Sequence, residues 1–340
     1  MKRLVPAVSE LLPRKTVWYN AARIFRVVDD LMTTDLGIVI LNWNTRDLLR
    51  KCLQTVQAST GNCTMRVVVV DNASTDGSAD MVASEFPSIL LIRNTENIGY
   101  PAGNNVGLQA LGYRGAGDVD ADAPRYALLL NPDTEVPPDG LCAMVDWMDN
   151  RPDIGAAGCK LVLPDGSLDK ACRRGFPTPL VSLYHFSGLS KLFPNSPRFA
   201  RYTMSYLDPD QEAEVDSVVG AYMQIRRDAI RQVGLLDDTF FMYGEDIDWA
   251  FRIKEAGWKI VYHPQVVVKH VKRAASRQSK RAQFEFWRAM LIFYRKHYRS
   301  TTPILLHLII LTGLLIKGGR NLWPEVRNPS TLTHAANVRA

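Results

Sequence analysis

Leu36-Gly-Ile-Val-Ile-Leu41 and Arg66-Val-Val-Val-Val70 decide the fold. Both runs are short, apolar and continuous. A half-exposed strand alternates apolar and polar residues. A run that is apolar on both faces fits the interior of a parallel sheet. Asn44 or Thr45 caps a helix between the two runs, reaching to about Ala58. Working outward, the pattern predicts a helix over 78–86, a strand over 89–92, a helix over 102–111 and a strand over 126–130. Residues 112–124 read as an exposed loop. This strand–helix rhythm predicts an α/β fold with a mainly parallel central sheet flanked by helices. After about Gly155 the rhythm loosens, and 163–214 reads as irregular. Strands are expected at 215–225, 258–262 and 266–269, and helices at 227–233 and 245–256. In the other direction, Trp18, Ala22, Ile24, Phe25, Val28 and Leu31 recur at helical spacing, so 1–34 reads as an accessory helical segment.

Composition narrows the class. The 340 residues are 46% hydrophobic and 22% charged, as in a folded chain with a sizeable core. The net charge is +6, and the excess is uneven: 269–296 is basic and carries only Glu285 as an acid. That stretch contains no recognisable nucleic-acid module, so nucleic acid is not expected as a partner. The five cysteines are odd in number, widely spaced and free of any Cys-x-x-Cys, which predicts reduced thiols rather than a disulfide framework or a zinc site. The first twelve residues lack the apolar core of a signal peptide. Residues 303–316 are almost wholly apolar but number fourteen, short of the roughly 20 that a spanning helix needs. Arg295, Lys296, Arg299, Lys317 and Arg320 flank them. This pattern predicts a helix lying on an anionic membrane surface, within a basic helical C-terminal extension over 276–340.

Ligands of open α/β sheets sit at the carboxyl ends of the strands, and the polar motifs fall there. Asn42-Trp43-Asn44 follows the first strand, Asp71-Asn72 the second, 94–107 the third and Asn131-Pro132-Asp133 the fourth. Asp71 can accept hydrogen bonds from a ribose or a base; an N-cap is the structural alternative. Asp133 can hold a divalent metal that bridges a diphosphate, or can simply close a turn. Gly244-Glu245-Asp246-Ile247-Asp248 puts three acids within four residues at a helix start. The helix dipole favours them there, and their mutual repulsion raises pKa values, which suits a general base. His270 closes a strand-like run and can meet a metal or a phosphate.

Seven motifs in order resemble glycosyltransferase family 2, the inverting GT-A enzymes, and especially its rhamnosyltransferase-like branch. They are Ile38-Val-Ile-Leu-Asn-Trp-Asn44, Val69-Val-Asp-Asn-Ala-Ser-Thr-Asp-Gly-Ser78, Asn97-Ile-Gly-Tyr-Pro-Ala-Gly-Asn-Asn-Val-Gly107, Leu129-Leu-Asn-Pro-Asp133, Gly220-Ala-Tyr-Met-Gln-Ile-Arg226, the run from Gly234 to Asp248, and His270. The resemblance spans 35–275 and implies a GT-A domain there. It implies a nucleotide-diphosphate sugar donor, dTDP-L-rhamnose first among the candidates, and a glycan or lipid-linked acceptor. By the same resemblance Asn42, Asn44 and Asp71 contact the nucleotide, and Asn97, Gly103, Asn104 and Asn131 line the donor site. Asp133 and His270 hold Mg²⁺ or Mn²⁺. Asp246 is the base, with Glu245 beside it. Asn131 departs from the usual Asp-x-Asp metal motif and removes a charge from it. The expected location is cytoplasmic, at the inner face of the plasma membrane. Two rival readings remain at this stage. A sugar nucleotidyltransferase would carry a Gly-rich basic loop after the first strand, where this chain has Asn42-Trp43-Asn44. A non-catalytic glycan-binding scaffold would not need Asp133, Glu245 and Asp246.

Overall fold

The computed structural model describes residues 34–272 and 280–327. The accessory helix expected within 1–34 lies outside the described residues. From Thr34 onward the chain forms one compact unit. At its centre stands β1 (Leu36–Asn42), fully buried along its length. It pairs in parallel with β2 (Met65–Asp71) on one side and β6 (Tyr126–Leu130) on the other. Helices cover both faces, so β1 can be apolar from Leu36 to Leu41, as its sequence is. β2 is less buried at its start because β3 (Leu90–Arg93) covers only Val68 to Asp71.

Between these strands run α1 (Arg46–Gln57), α2 (Ser78–Glu85) and α3 (Tyr100–Ala110). Helix α3 lies close against β1. A Cβ on Gly107 would sit 2.4 Å from Val39 Cγ1, and one on Gly103 would sit 2.5 Å from Leu41 Cδ1. Only glycine lets the helix approach so closely. The loop expected at 112–124 contains a small hairpin, β4 (Tyr113–Gly115) and β5 (Asp118–Val119).

The second half of the sheet is mixed. β7 (Thr134–Glu135) and α4 (Gly140–Asp149) follow β6. β8 (Ile154–Val162) is a nine-residue buried strand, beginning where the sequence rhythm was expected to loosen. Its signal is weak because it is built of small residues. They are small for a packing reason: a Cβ on Gly158 would lie 2.6 Å from Val218 Cβ. β9 (Ala213–Glu214) pairs with the strand that ends the domain. The strand expected over 215–225 is shorter; only β10 (Tyr222–Arg226) forms, antiparallel to both β6 and β8. The two strands expected over 258–262 and 266–269 are one, β11 (Lys259–His270), with a register shift between His263 and Val267. Pro264 sits at that shift, where a missing N–H is tolerated. The sheet order is β3-β2-β1-β6-β10-β8-β11-β7.

Helices α5 (Pro179–Phe186) and α6 (Leu189–Leu192) lie within the stretch expected to be irregular. α7 (Arg227–Val233) and α8 (Glu245–Glu255) match the sequence expectation closely. After β11 come α9 (Lys280–His297), α10 (Ile304–Gly318) and α11 (Trp323–Arg327). α10 is the apolar run. Its 15 residues reach about 22 Å at 1.5 Å per residue. Among the described residues no helix is long and apolar enough to cross a membrane.

The cysteines correct an expectation. Cys63 and Cys142 form a disulfide, with Cα atoms 5.4 Å apart and a sequence separation of 79. Spacing gave no hint of it, because the pairing depends on the sheet carrying the loop before β2 to the first turn of α4. Cys52, Cys159 and Cys172 are buried free thiols. Closing so long a loop restrains the unfolded chain strongly. Cys142→Ser is therefore expected to lower unfolding stability by about 2–4 kcal/mol in urea titrations under oxidising conditions. Under reducing conditions the two chains should converge. Equal midpoints without reductant would show that the bond contributes nothing.

Candidate active site

The carboxyl edges of β1 and β2 are joined by side chains. Asn42 Nδ2 donates to Asp71 Oδ1 at 3.0 Å and to Ser74 Oγ at 3.1 Å. Asn42 Oδ1 accepts from Thr45 Oγ1, and Asp71 Oδ2 accepts from the Ser74 N–H at 2.9 Å. Asn44 Oδ1 accepts from the Thr75 N–H at 2.7 Å. These bonds fix the loop over 71–75. Between the two asparagines, Trp43 points outward and is exposed.

Asn72 continues the frame. Its Nδ2 donates to Asn97 Oδ1, and its Oδ1 accepts from Asn94 Nδ2. Asn97 Oδ1 also takes the Gly99 N–H, and Asn104 Nδ2 donates to the Tyr100 carbonyl. The Tyr100 hydroxyl lies 3.1 Å from Asn131 Oδ1 and 3.0 Å from the Gly220 carbonyl. The polar side chains expected to meet a donor are thus largely engaged in holding the loops that surround it. Gly103 serves by letting α3 pack on Leu41. Asn44, Ala73, Tyr243 and Lys272 have positive φ, between 44° and 68°, in the loops at this edge. Non-glycine residues adopt such angles at a cost and cluster at functional sites.

Two charged groups stand in this frame. The first is centred on His270. Its Nδ1 is 2.9 Å from Asp169 Oδ2, and its Nε2 is 3.4 Å from Asp133 Oδ1. Lys272 Nζ also reaches Asp169, at 2.6 Å. Burial alone would lower the His270 pKa; hydrogen bonds to Asp133 and Asp169 outweigh it and raise the pKa to about 9. Burial would likewise raise Asp169, but His270 and Lys272 hold its carboxyl far below the usual range. β7 and β11 pair Thr134 with His270, and the Val271 N–H donates to the Asp133 carbonyl, so the backbone brings Asp133 and His270 together. Among the described residues no three His, Cys, Asp or Glu side chains are arranged to enclose a metal. The donor set does fit an ion held by one or two protein ligands and completed by phosphate oxygens. Asp169 on Nδ1 turns Nε2 toward Asp133, as an outer partner orients a metal-binding histidine.

The second group is at the start of α8. Asp246 Oδ2 accepts from Arg174 Nη2 at 2.7 Å and from the Gly220 N–H at 3.1 Å; Oδ1 accepts from the Ile247 N–H at 2.8 Å. Arg174 is itself fixed, because its backbone exchanges two hydrogen bonds with Ser217 and its side chain donates to the Val218 carbonyl. Glu245 is buried next to this pair, and its Oε2 has no partner among the described residues. Burial first, and the neighbouring Asp246 second, push the Glu245 carboxyl up to about 8. Asp248 faces the other way. It is fully buried and meets Arg252 at 2.9 Å, His297 at 2.7 Å and Lys296 at 2.8 Å. Burial opposes its ionisation, but the hydrogen bond from His297 and the charges of Arg252 and Lys296 hold it at about 2. One acid of the cluster therefore ties α9 to α8, while the other two face the site.

Sequence reasoning did not find Arg174, Asp169 or Tyr100. The signal was present only for Arg174, in the basic pair Arg173-Arg174, and a basic pair in an irregular stretch points nowhere by itself.

A family model described as glycosyltransferase like family 2 matches residues 34–285. The chain belongs to glycosyltransferase family 2. A relative from Mycobacterium tuberculosis, N-acetylglucosaminyl-diphospho-decaprenol L-rhamnosyltransferase, is 30% identical over 241 residues, covering 71% of this chain and 77% of that protein. The low-salt glycan biosynthesis hexosyltransferase Agl10 of Haloferax volcanii is 24% identical, covering 67% and 64%. Among solved structures, GalNAc-T7 with UDP, GalNAc and Mn²⁺ superposes with a TM-score of 0.53 at 14% identity, covering 78% of this chain and 48% of that one. The mannosyltransferase PcManGT from Pyrobaculum calidifontis with GDP-Man and Mn²⁺ gives 0.52 at 18% identity, covering 92% and 77%. At these identities the two structures speak to the GT-A fold alone. This family 2 chain is a glycosyltransferase enzyme, and the nucleotidyltransferase and scaffold readings are set aside.

The raised Glu245 pKa has a consequence for stability. An unfolded glutamate titrates near 4.3. A higher folded pKa gives stability that is complete below the unfolded value and is lost as pH rises through about 8. Glu245→Gln cannot ionise and lacks this loss. Its thermal midpoint should gain on the wild type as pH is raised from 5 to 9. Parallel curves across that range would mean that Glu245 ionises like an exposed carboxyl.

Proposed function

We propose that this glycosyltransferase transfers L-rhamnose from dTDP-L-rhamnose to a hydroxyl of a cell-surface glycan or lipid-linked acceptor, with inversion. The M. tuberculosis relative supports the sugar and the lipid-linked acceptor. The observation that carries the chemistry is the Asp246 carboxylate, oriented by Arg174 and two backbone N–H groups at the first turn of α8.

Asp246 is the base. Oδ2 already receives two donors, whereas Oδ1 receives one and keeps a lone pair. Oδ1 accepts the acceptor's hydroxyl proton as that oxygen bonds to the anomeric carbon. The bond from that carbon to the diphosphate oxygen breaks on the opposite side, and its electron pair leaves with the nucleoside diphosphate. Arg174 holds the carboxyl group in its orientation toward the acceptor hydroxyl. Glu245 carries its proton at neutral pH and offers an uncharged hydrogen-bonding group beside the base, toward a sugar hydroxyl.

The donor lies along the carboxyl edges of β1, β2 and β6. Asn42, Asn44 and Asp71 shape the nucleotide end, where the exposed face of Trp43 is available for a base to stack. Asn97, Gly103, Asn104 and Asn131 shape the sugar end. Asp133 and His270 would hold a divalent ion, Mg²⁺ or Mn²⁺. When bound, that ion neutralises charge on the departing phosphate. Binding it requires His270 to give up the proton that Asp133 and Asp169 stabilise.

Asp246→Asn should lower kcat by about 10²–10⁴-fold, as expected for a positioned base. Its dTDP-L-rhamnose affinity should stay near that of the wild type in calorimetric titration. Near-normal turnover in this variant would remove Asp246 from the role of base. A second measurement addresses the metal site. Mn²⁺ should raise the thermal midpoint of the dTDP-bound chain, and Asp133→Ala should abolish that rise. An undiminished rise would place the ion elsewhere.

A further inference from the structure

Two stretches of this chain lack acids entirely. No Asp or Glu occurs between Asp169 and Asp208, or between Glu285 and Glu325. The first stretch forms α5 and α6, and the second forms most of α9 and all of α10. The fold brings them together: the Phe186 ring at the end of α5 lies 5.1 Å from the Trp287 ring of α9. Trp287 in turn lies under the end of α10, where a Cβ on Gly318 would sit 3.0 Å from its Cβ.

Both stretches expose large apolar side chains. On α5, Leu180 is 54% exposed and Leu183 53%. On α10, Leu305 is 71% exposed, Ile309 56% and Ile316 74%. α10 is covered on one side only, where Leu314 and its neighbours pack against Met290 and Leu291 of α9. Exposed cations flank the apolar residues: Lys191 and Arg198 beside α5 and α6, and Lys317, Arg320 and Arg327 beside α10. The acid that closes the second stretch, Glu325, is engaged with Arg288. An exposed apolar face with a basic, acid-free surround matches one kind of partner, a bilayer with anionic headgroups.

The junction also lies near the site. A small cavity of about 20 Å³, lined by Pro177, Ser182, His185, Tyr202, Phe286 and Met290, lies between the α5 segment and α9. Tyr202, at its inner side, is close enough to Arg174 and Asp246 to feel both charges.

We propose that α5, α6 and α10 together form one platform that seats the enzyme on an anionic lipid surface. The proposal rests on the lipid-linked acceptor inferred above. It extends the contact beyond the apolar run over 303–316 to a second element far from it in sequence. α10 lies in the interface without crossing it, its apolar side among the acyl chains and its cations among the phosphates. Acids are absent from both stretches because each would face the headgroup charge.

Vesicle flotation of the full chain tests this. The chain should float with vesicles of phosphatidylcholine and phosphatidylglycerol, and less with phosphatidylcholine alone; added NaCl should weaken the binding. Leu180→Glu with Leu183→Glu, and separately Leu305→Glu with Ile309→Glu, should each reduce the bound fraction at least about tenfold, the effect of withholding roughly one leucine from lipid. Thermal midpoints check that the variants fold, and the salt response of the wild type needs no variant. Asp246→Asn should float like the wild type while failing in transfer, which separates this proposal from the assignment of the base. Three results overturn it: a wild type that stays with the unbound fraction, an α5 pair that floats undiminished, or light scattering that shows the variants turning a dimer into a monomer. The last would mean that a second copy covers this face.

Discussion

The ion pair of Arg174 with Asp246 is the interaction on which the site depends. A carboxylate at the first turn of a helix is favoured by the helix dipole, but only in part when it is buried. Here the remaining cost is offset by a guanidinium and by two backbone N–H groups. The pair also joins distant parts of the chain. Arg174 belongs to an irregular segment after β8, Gly220 to the turn before β10, and Asp246 to α8. None of these is adjacent in sequence. The segment over 173–178 is held further by the bridge of Arg174 to Ser217, the Arg173 guanidinium on the Leu207 and Asp208 carbonyls, the Phe176 N–H on Asp216 and the Phe176 ring against Phe251.

The three acids of the cluster share one turn and do three different things. Asp248 is surrounded by Arg252, Lys296 and His297 and is ionised at any physiological pH. Asp246 is balanced by Arg174. Glu245 has no cation of its own within hydrogen-bonding reach, so burial, and after it the charge of Asp246, keep its proton on. A single helical turn thus anchors the C-terminal helices, carries the carboxylate proposed as the base and supplies a neutral carboxyl. The surroundings, rather than the residue types, divide the roles.

His270 illustrates the same division on the other side of the site. Two carboxylates hold its imidazole, and one of them, Asp169, is in turn neutralised by Lys272. The resemblance to family 2 implied Asp133 and His270 as a pair. The structure adds Asp169 as the group that turns the ring. The loss of charge at Asn131 also has a local account: its carbonyl oxygen receives the Tyr100 hydroxyl, so a neutral amide here ties α3 to the site instead of adding a third negative charge.

The sequence alone determined the first half of the sheet, because buried parallel strands must be apolar on both faces and β1, β2 and β6 are. It also determined where the acids and asparagines sit, since strand ends can be read from where apolar runs stop. It was silent on β8, whose small residues carry little hydrophobic signal, and it read β11 as two strands because Pro264 interrupts the pattern. Its cysteine reading failed for a related reason: the partners of Cys63 and Cys142 are chosen by the sheet, 79 residues apart. Only the tertiary structure decided which polar residues hold the frame and which face the site. Hydrogen-bond partners and desolvation set that choice, and both come from segments that meet only when the chain is folded.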